Sequence, residues 1–136
     1  MNFLLDTNVI SELRKKDRAN SGVTSWFSDL DGDTIYLSVL TLGEIRRGIE
    51  NISRRDADAG ANLNQWVSRI VMGFEGRIIP VDATIADEWG RMNVPDPLPV
   101  VDGLLAATAK IRGMTLVTRN ISDVSRTGIE TLNPFD

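Results

Sequence analysis

The segment Phe3-Leu4-Leu5-Asp6-Thr7-Asn8 joins a short apolar run to an acidic residue and two polar residues. Its apolar residues form an uninterrupted run, which is typical of a short strand buried on both faces of a parallel sheet. The run stops at Asp6, and the residues Asp-Thr-Asn suit the start of a helix. We expect that helix to bury Val9, Ile10 and Leu13. This segment therefore predicts a strand followed directly by a helix.

The alternation of strand and helix continues along the chain. Short apolar runs predict strands at residues 35–37, 77–81, 115–117 and near 130–132. Apolar residues at helical spacing predict the intervening helices, with stripes running from Val23 to Leu30, Leu42 to Ile52, Leu63 to Phe74, Ile85 to Met92 and Val101 to Ile111. Prolines at 95, 97 and 99 exclude helix between the last two stripes. This pattern predicts an α/β fold in which a central, mostly parallel sheet is covered on both faces, within a single domain of residues 1–136.

The composition excludes several kinds of chemistry. The chain has no cysteine and no histidine, so thiol nucleophiles, thiolate metal sites and serine–histidine triads are excluded. The net charge of −4 argues against a broad nucleic-acid-coating surface. No segment has the length of apolar sequence that a membrane span requires, and no signal peptide of the usual form is recognisable, so we expect a cytoplasmic protein. For a hydrolase, carboxylates and a hard cation remain.

Three carboxylates stand near the starts of predicted helices: Asp6, Glu44 and Asp102. At about 100° per residue, Glu44 and Asp102 fall outside the stripes that enter the core. In open parallel sheets, ligands bind beyond the carboxyl ends of the strands, where these side chains can converge. Their mutual repulsion would raise their pKa values unless a divalent cation neutralised it. The sequence therefore predicts a site for Mg²⁺ or Mn²⁺.

Each of these residues also has a purely structural interpretation. Asp6 can cap the helix that follows it. Thr41 and Glu44 have the spacing of a capping box. Asp102 is favoured by the dipole of its helix regardless of function. Taken singly, none of the three identifies a site.

Four motifs together resemble the PIN-domain ribonuclease toxins of the VapC type. They are Leu4-Leu5-Asp6-Thr7-Asn8-Val9-Ile10-Ser11, Thr41-Leu42-Gly43-Glu44, Asp102-Gly103-Leu104-Leu105-Ala106-Ala107-Thr108-Ala109 and Leu116-Val117-Thr118-Arg119-Asn120. The resemblance extends from Met1 to the closing Leu132-Asn133-Pro134-Phe135. It implies a three-layer α/β/α fold and the toxin of a type II toxin–antitoxin module. Such a toxin cleaves RNA with Mg²⁺ or Mn²⁺, is neutralised by a cognate antitoxin, and forms homodimers and toxin–antitoxin hetero-oligomers.

The resemblance also implies roles for individual residues. Asp6, Glu44 and Asp102 match the family's acidic positions, as catalytic residues and metal ligands. The fourth acidic position is open: Asn120 stands where some relatives carry aspartate, and Asp123 lies three residues on. Thr7, Asn8, Thr118 and Asn120 are expected to support the site. A further departure is the short proline-rich link from Asn93 to Pro99, where we expect local geometry to differ from that of relatives.

Basic residues are candidates for contact with RNA phosphates, chiefly Arg14, Arg46 and Arg47. Solvated helix faces explain these arginines equally well. Two alternatives to the nuclease also stay open. One is a catalytically inactive PIN-like scaffold that binds RNA or protein. The other is a receiver-like phosphate-handling module, which would need a suitably placed lysine, and Lys110 is the only one beyond Lys16.

Overall fold

A computed structural model describes all of residues 1–136. Its strands are β1 (Phe3–Leu5), β2 (Ile35–Ser38), β3 (Ile78–Ile79), β4 (Thr115–Val117) and β5 (Thr131–Leu132). They form one five-stranded sheet in the order β3-β2-β1-β4-β5, and every neighbouring pair is parallel. The prediction of an α/β fold with a mostly parallel sheet is confirmed.

Six helices surround the sheet: α1 (Thr7–Leu13), α2 (Ser21–Ser28), α3 (Val39–Ser53), α4 (Ala57–Gly73), α5 (Ala83–Met92) and α6 (Val100–Arg112). The core divides into two clusters, one for each face of the sheet. The first joins β1 and β2 to apolar residues of α1 to α4, including Val9, Val23, Ile49 and Val67. The second joins Leu4 and Leu116 to α5 and α6. The molecule is therefore a three-layer α/β/α structure, as predicted.

Strand β1 is central because its side chains are apolar on both faces. Phe3 and Leu5 belong to the first core cluster, whereas Leu4 is fully buried in the second. Burying such residues stabilises the fold by roughly 1.5–3 kcal/mol each. A strand with an apolar residue on each face packs best where helices cover both faces. The uninterrupted apolar run Phe3-Leu4-Leu5 thus lies at the middle of the sheet.

The structure corrects three details of the sequence-based assignment. Helix α3 begins at Val39, with Ser38 as its N-cap, whose hydroxyl accepts a hydrogen bond from the Leu40 amide at 3.0 Å. Thr41 therefore lies inside the helix, and the capping-box interpretation of Glu44 is wrong. Strand β3 contains only Ile78 and Ile79, which is shorter than predicted. Ile111, assigned to the buried stripe of α6, is 38% exposed, and the buried face of α6 instead includes the small residues Gly103, Ala106, Ala107 and Ala109.

The ends of the helices follow their sequence signals. Asp82 caps α5 by accepting a hydrogen bond from the Ile85 amide at 2.9 Å. Helix α6 ends at Gly113, whose φ of 65° lies in the left-handed region that glycine adopts at little cost. None of the helices combines the length and apolar character that crossing a membrane would require.

Candidate active site

Asp6 lies at the point where the order of the strands reverses. From β1 the chain crosses to β2 and β3 on one side and later to β4 and β5 on the other. Leu5 of β1 pairs with Val117 of β4, so Asp6 and Thr118 leave the sheet side by side. Crevices at such reversals, beyond the carboxyl ends of strands, are where open α/β sheets bind ligands. The fold therefore directs Asp6 to a binding crevice.

The carboxylate of Asp6 is buried and held by several hydrogen bonds. Asp6 is 6% exposed. Its Oδ1 accepts from the Thr7 amide at 2.6 Å, so the predicted helix-capping role is also fulfilled. Its Oδ2 accepts from Thr118 Oγ1 at 2.8 Å and, at 3.4 Å, from Asn8 Nδ2. Asp6 thus has a fixed orientation at the edge of the sheet.

Thr118 and Asn8 connect Asp6 to the loop after β4. Thr118 is fully buried, and its hydroxyl oxygen accepts hydrogen bonds from the Asn120 amide at 3.0 Å and from Asn8 Nδ2 at 3.4 Å. Asn8 Oδ1 accepts from the Arg119 amide at 3.2 Å. These bonds join segments more than 100 residues apart in the chain, because β1 and β4 are neighbours. Thr7, Asn8, Thr118 and Asn120 all lie in the network expected to support the site.

Glu44 reaches the same region from α3. It lies in the second turn of that helix, half-buried, and its Oε1 accepts a short hydrogen bond from the Thr7 hydroxyl. Thr7 therefore contacts two acidic residues: its backbone amide bonds to Asp6 and its side chain bonds to Glu44. This double contact explains how a threonine after the first aspartate brings α1 and α3 together at the crevice.

Asp102 approaches from the opposite face of the sheet. It lies in the first turn of α6, which begins after Pro99, and it is half-buried. Burial raises the pKa of Asp102, and the charges of Asp6, Asp123 and Glu44 raise it further, with no hydrogen bond lowering it. Asp102 is therefore close to the other acidic residues, and the helix backbone alone sets its position.

Asp6, like Asp102, is repelled by the negative charges of neighbouring acidic residues. Burial raises the pKa of Asp6 above its ordinary value, and the charges of Glu44 and Asp123 add to that effect. Hydrogen bonds from Thr118 and Thr7 partly oppose it, because they stabilise the ionised form. The four predicted acidic residues thus influence one another electrostatically, and the structure brings them together from α1, α3, α6 and the loop after β4.

Asp123 and Asn120 differ in what they offer the site. Asp123 lies exposed in the short 3₁₀ turn Ile121–Asp123, and its charge acts on both Asp6 and Asp102. The contact of Asn120 with the network runs through its backbone amide, which bonds to Thr118. The carboxylate nearest to a fourth ligand position is therefore that of Asp123. Its catalytic role stays a prediction.

The donor set fits a divalent cation of the hard type. All of the candidate ligands are carboxylates, and hydroxyl and amide groups surround them, which matches the preference of Mg²⁺ and Mn²⁺ for oxygen. As the side chains are placed, no three acidic groups enclose a single ion position, and Glu44 is engaged with Thr7. Rotation of these side chains would be needed to bind the ion. The repulsion that raises the pKa of Asp6 and of Asp102 is what a cation relieves.

A cavity of about 150 Å³ adjoins Glu44 between α1, α3 and α4. Thr7, Ser11 and Arg14 line one side of it, and Trp66 of α4 lines another. The Arg14 guanidinium stands 6.0 Å from the centre of the Trp66 ring. Sequence analysis missed the contributions of Ser11 and Trp66 to this cavity. The spacing of Thr7 and Ser11, four residues apart on one helix face, was the available signal for Ser11.

The three arginines proposed to contact RNA do not share one surface. Arg14 lines the cavity beside Glu44. On α3, Arg47 lies about 60° around the helix from Glu44, whereas Arg46 lies about 160° away. Arg46 instead donates a hydrogen bond to Asn64 and lines a separate groove between α3 and α4. The structure therefore brings Arg14 to the acidic site and directs Arg46 elsewhere.

Lys110 does not meet the requirement of a receiver-like module. It lies in the last turn of α6, about 12 Å along that helix from Asp102. There its ammonium forms an ion pair with Glu88 at 3.0 Å. A lysine held at the far end of α6 is not available to a phosphate near Asp6, so the receiver-like alternative is not favoured.

Comparisons with known proteins agree with this geometry. The family model described as PIN domain matches residues 3–128. The toxin FitB of Neisseria gonorrhoeae is 30% identical over 98% of both chains, and a VapC ribonuclease of Sinorhizobium fredii is 28% identical over 98% of both chains. The crystal structure of FitAcB from Neisseria gonorrhoeae superimposes with a TM-score of 0.88 at 30% identity, covering 97% of each chain.

Proposed function

Because this chain belongs to the PIN domain family, we propose that it is the toxin of a type II toxin–antitoxin module. In this proposal the protein is a ribonuclease that depends on a divalent metal, cleaves RNA phosphodiester bonds and is neutralised by a cognate antitoxin. The activity resides in a single domain of residues 1–136. A cytoplasmic location is part of the proposal, because the RNA substrate is found there.

The convergence of Asp6, Glu44, Asp102 and Asp123 carries this proposal. Burial and like charges raise the pKa of Asp6 and of Asp102, a cost that a protein without a use for the site need not bear. The chain has no histidine to serve as a general base. Acidic residues with a cation are the hydrolytic machinery that this composition allows.

Within the site, each residue has a distinct task. Asp6 and Asp102 hold Mg²⁺ or Mn²⁺, and Thr118 keeps Asp6 oriented toward the ion by its hydrogen bond at 2.8 Å. The ion supplies charge stabilisation at the scissile phosphate and activation of the attacking water. Glu44, positioned by Thr7, orients that water or assists a second ion. Asp123 adds a fourth negative charge at the exposed rim.

Arg14 binds the RNA backbone beside the acidic residues. Its guanidinium remains exposed and lies near Glu44 across the cavity. A basic group at this position attracts phosphate to a site that would otherwise repel it. Arg47 extends the same surface along α3, and Arg46 is the weakest of the three candidates.

The proposed partners follow from the relatives. A solved structure of FitAB bound to a DNA fragment is 29% identical to this chain over 98% of its length, with a TM-score of 0.80. By analogy, this chain pairs with its own antitoxin and dimerises, in a hetero-oligomer. Co-expression of the chain with the small gene neighbouring it, followed by sizing of the purified complex, tests this part of the proposal.

RNA cleavage by wild type and by Asp102→Asn, purified identically, tests the enzyme. We expect wild type to cleave a structured RNA pool with Mg²⁺ or Mn²⁺ and to be inactive with chelator. The variant should be inactive throughout, and identical purification excludes a contaminating ribonuclease. RNA affinity without cleavage under either cation would instead indicate an inactive binding scaffold.

A further inference from the structure

The link between α5 and α6 is fastened to the end of α5 by the side chain of Asn93. Asn93 Nδ2 donates a hydrogen bond to the carbonyl of Trp89 at 2.7 Å. Asn93 Oδ1 accepts one from the amide of Leu98 at 2.8 Å. A single amide side chain therefore fastens the proline-rich segment to the end of α5. Leu98 is consequently buried, at 7% exposure, although the residues around it are exposed.

Trp89 and Leu98 both press against Gly103. A methyl group at position 103 would lie 3.2 Å from Cδ1 and from Nε1 of Trp89, and 3.3 Å from Cβ of Leu98. These distances are tighter than ordinary van der Waals contact, so an added methyl group would require Trp89, Leu98 or the helix to shift by a few tenths of an ångström. Trp89 Nε1 is buried without a hydrogen-bond partner, so shape and not hydrogen bonding keeps the indole in place.

In the first turn of α6, Val101 also packs against the second core cluster, but no side chain caps the helix. Its N-cap is Pro99, which makes no side-chain capping hydrogen bond. The Asp102 carboxylate has no hydrogen bond to orient it, unlike that of Asp6. The position of Asp102 therefore depends on the backbone of α6, and that backbone rests on Trp89 and Leu98.

We infer that Trp89, Asn93 and Leu98, here called the α5–α6 clamp, are positioning residues that set where Asp102 stands relative to Asp6. The clamp acts through the backbone of Gly103, the residue after Asp102. The inference rests on the proposed function only in taking Asp102 as a metal ligand. Groups behind a metal ligand alter metal affinity by about 10- to 100-fold when removed.

Asn93→Ala is the first test, because it removes both hydrogen bonds without crowding the core. Calorimetric titration of the full chain with Mn²⁺ should show affinity about tenfold weaker than wild type. In metal-free protein, the amides of residues 103–105 should exchange faster, while amides of β1 and β4 keep their protection. The control is Asn62→Ala, an exposed position on α4, which should match wild type in both measurements. Mn²⁺ affinity within twofold of wild type and unchanged exchange in Asn93→Ala would overturn the inference.

Gly103→Ala and Trp89→Phe provide a rescue experiment. Gly103→Ala alone should weaken Mn²⁺ binding, because the added methyl displaces either the indole or the helix. Trp89→Phe gives a smaller ring that lacks the indole nitrogen but keeps a carbon near the position of Cδ1, so the double variant should recover part of the lost affinity. A double variant no better than Gly103→Ala would contradict the proposed contact. If Gly103→Ala does not fold, the Mn²⁺ affinity and the amide exchange rates of Asn93→Ala decide whether the inference holds.

These measurements test the α5–α6 clamp independently of the proposed nuclease function. Wild type that binds Mn²⁺ but cleaves no RNA would contradict the proposed function, and the affinity of Asn93→Ala would still decide the clamp. If wild type binds no Mn²⁺, the exchange rates at residues 103–105 decide it. Where cleavage is measurable, Asn93→Ala should need a higher Mn²⁺ concentration than wild type for half-maximal cleavage, a shift that a smaller folded fraction alone does not produce.

Discussion

The hydroxyl of Thr118 donates a hydrogen bond of 2.8 Å to Oδ2 of Asp6. The two residues are 112 positions apart in the chain, and they meet because β1 and β4 are adjacent and in register. Thr118 also accepts hydrogen bonds from Asn8 and from the Asn120 amide, so it has no free hydrogen-bonding capacity. This residue connects the central carboxylate to the loop that carries Asp123.

Thr118→Val should therefore destabilise the protein although it preserves the shape of the side chain. It leaves the Asn120 amide and the buried Asp6 carboxylate each short of a partner, at a cost of about 1–3 kcal/mol. Urea denaturation gives the change in the free energy of unfolding. Thr118→Ser keeps the hydroxyl and should lose less. Equal losses in the two variants would mean that the methyl group, and not the hydrogen bond, matters.

Asp102→Asn should be at least as stable as wild type at pH 7 in metal-free buffer. The folded state raises the pKa of Asp102 above its ordinary value of 3.8, so the native protein binds protons more readily than the unfolded chain. Wild type consequently loses stability as pH rises from about 3.8 through the folded pKa, and the variant lacks this loss. Urea denaturation with chelator at several pH values measures the difference.

The stability advantage of Asp102→Asn over wild type should shrink toward pH 4, where the Asp102 carboxylate of the wild-type protein becomes protonated. Added Mn²⁺ should reverse the order of stability, because only wild type gains the free energy of binding. A variant that is less stable than wild type at pH 7 without metal would indicate a structural role for Asp102 at its helix start.

Asp123→Asn should weaken Mn²⁺ binding and lower RNA cleavage, at the small end of the range of about 10- to 100-fold seen for groups that support metal sites. Its charge acts on Asp6 and Asp102, whereas Asn120 contacts the network through its backbone. Asn120→Ala should consequently have a smaller effect in the same assay. The reverse ranking of these two variants would assign the fourth position to Asn120.

Arg14→Gln should weaken RNA binding more than Arg46→Gln does. Arg14 lines the cavity beside Glu44, whereas Arg46 bonds to Asn64 on the other side of α3. Affinity for a single-stranded RNA, measured in the Asp102→Asn background to prevent cleavage, should also become less salt-dependent. Loss of one phosphate contact lowers the slope of log affinity against log salt by about 0.7. Equal effects of the two arginine variants would contradict this assignment.

Several features followed directly from the sequence because they depend on neighbours in the chain. The apolar run before Asp6 predicted a buried strand, and the stripe from Ile85 to Met92 predicted the helix α5; both are confirmed. Such signals depend on the spacing of apolar residues and on caps, which act within a turn or a strand. The capping-box interpretation of Glu44 is wrong because Ser38, three residues before Thr41, is already the N-cap of α3.

The class of the fold, the alternation of its elements and the identities of the acidic residues could all be predicted from local sequence patterns. Only the tertiary structure decided that Asp6 lies beside Thr118, that Thr7 holds Glu44, and that Gly103 rests against Trp89. Those contacts depend on the order of strands in the sheet and on how closely two helices approach. Periodicity along the chain specifies which face of an element is apolar, but the neighbour that covers that face is chosen by packing across the whole molecule.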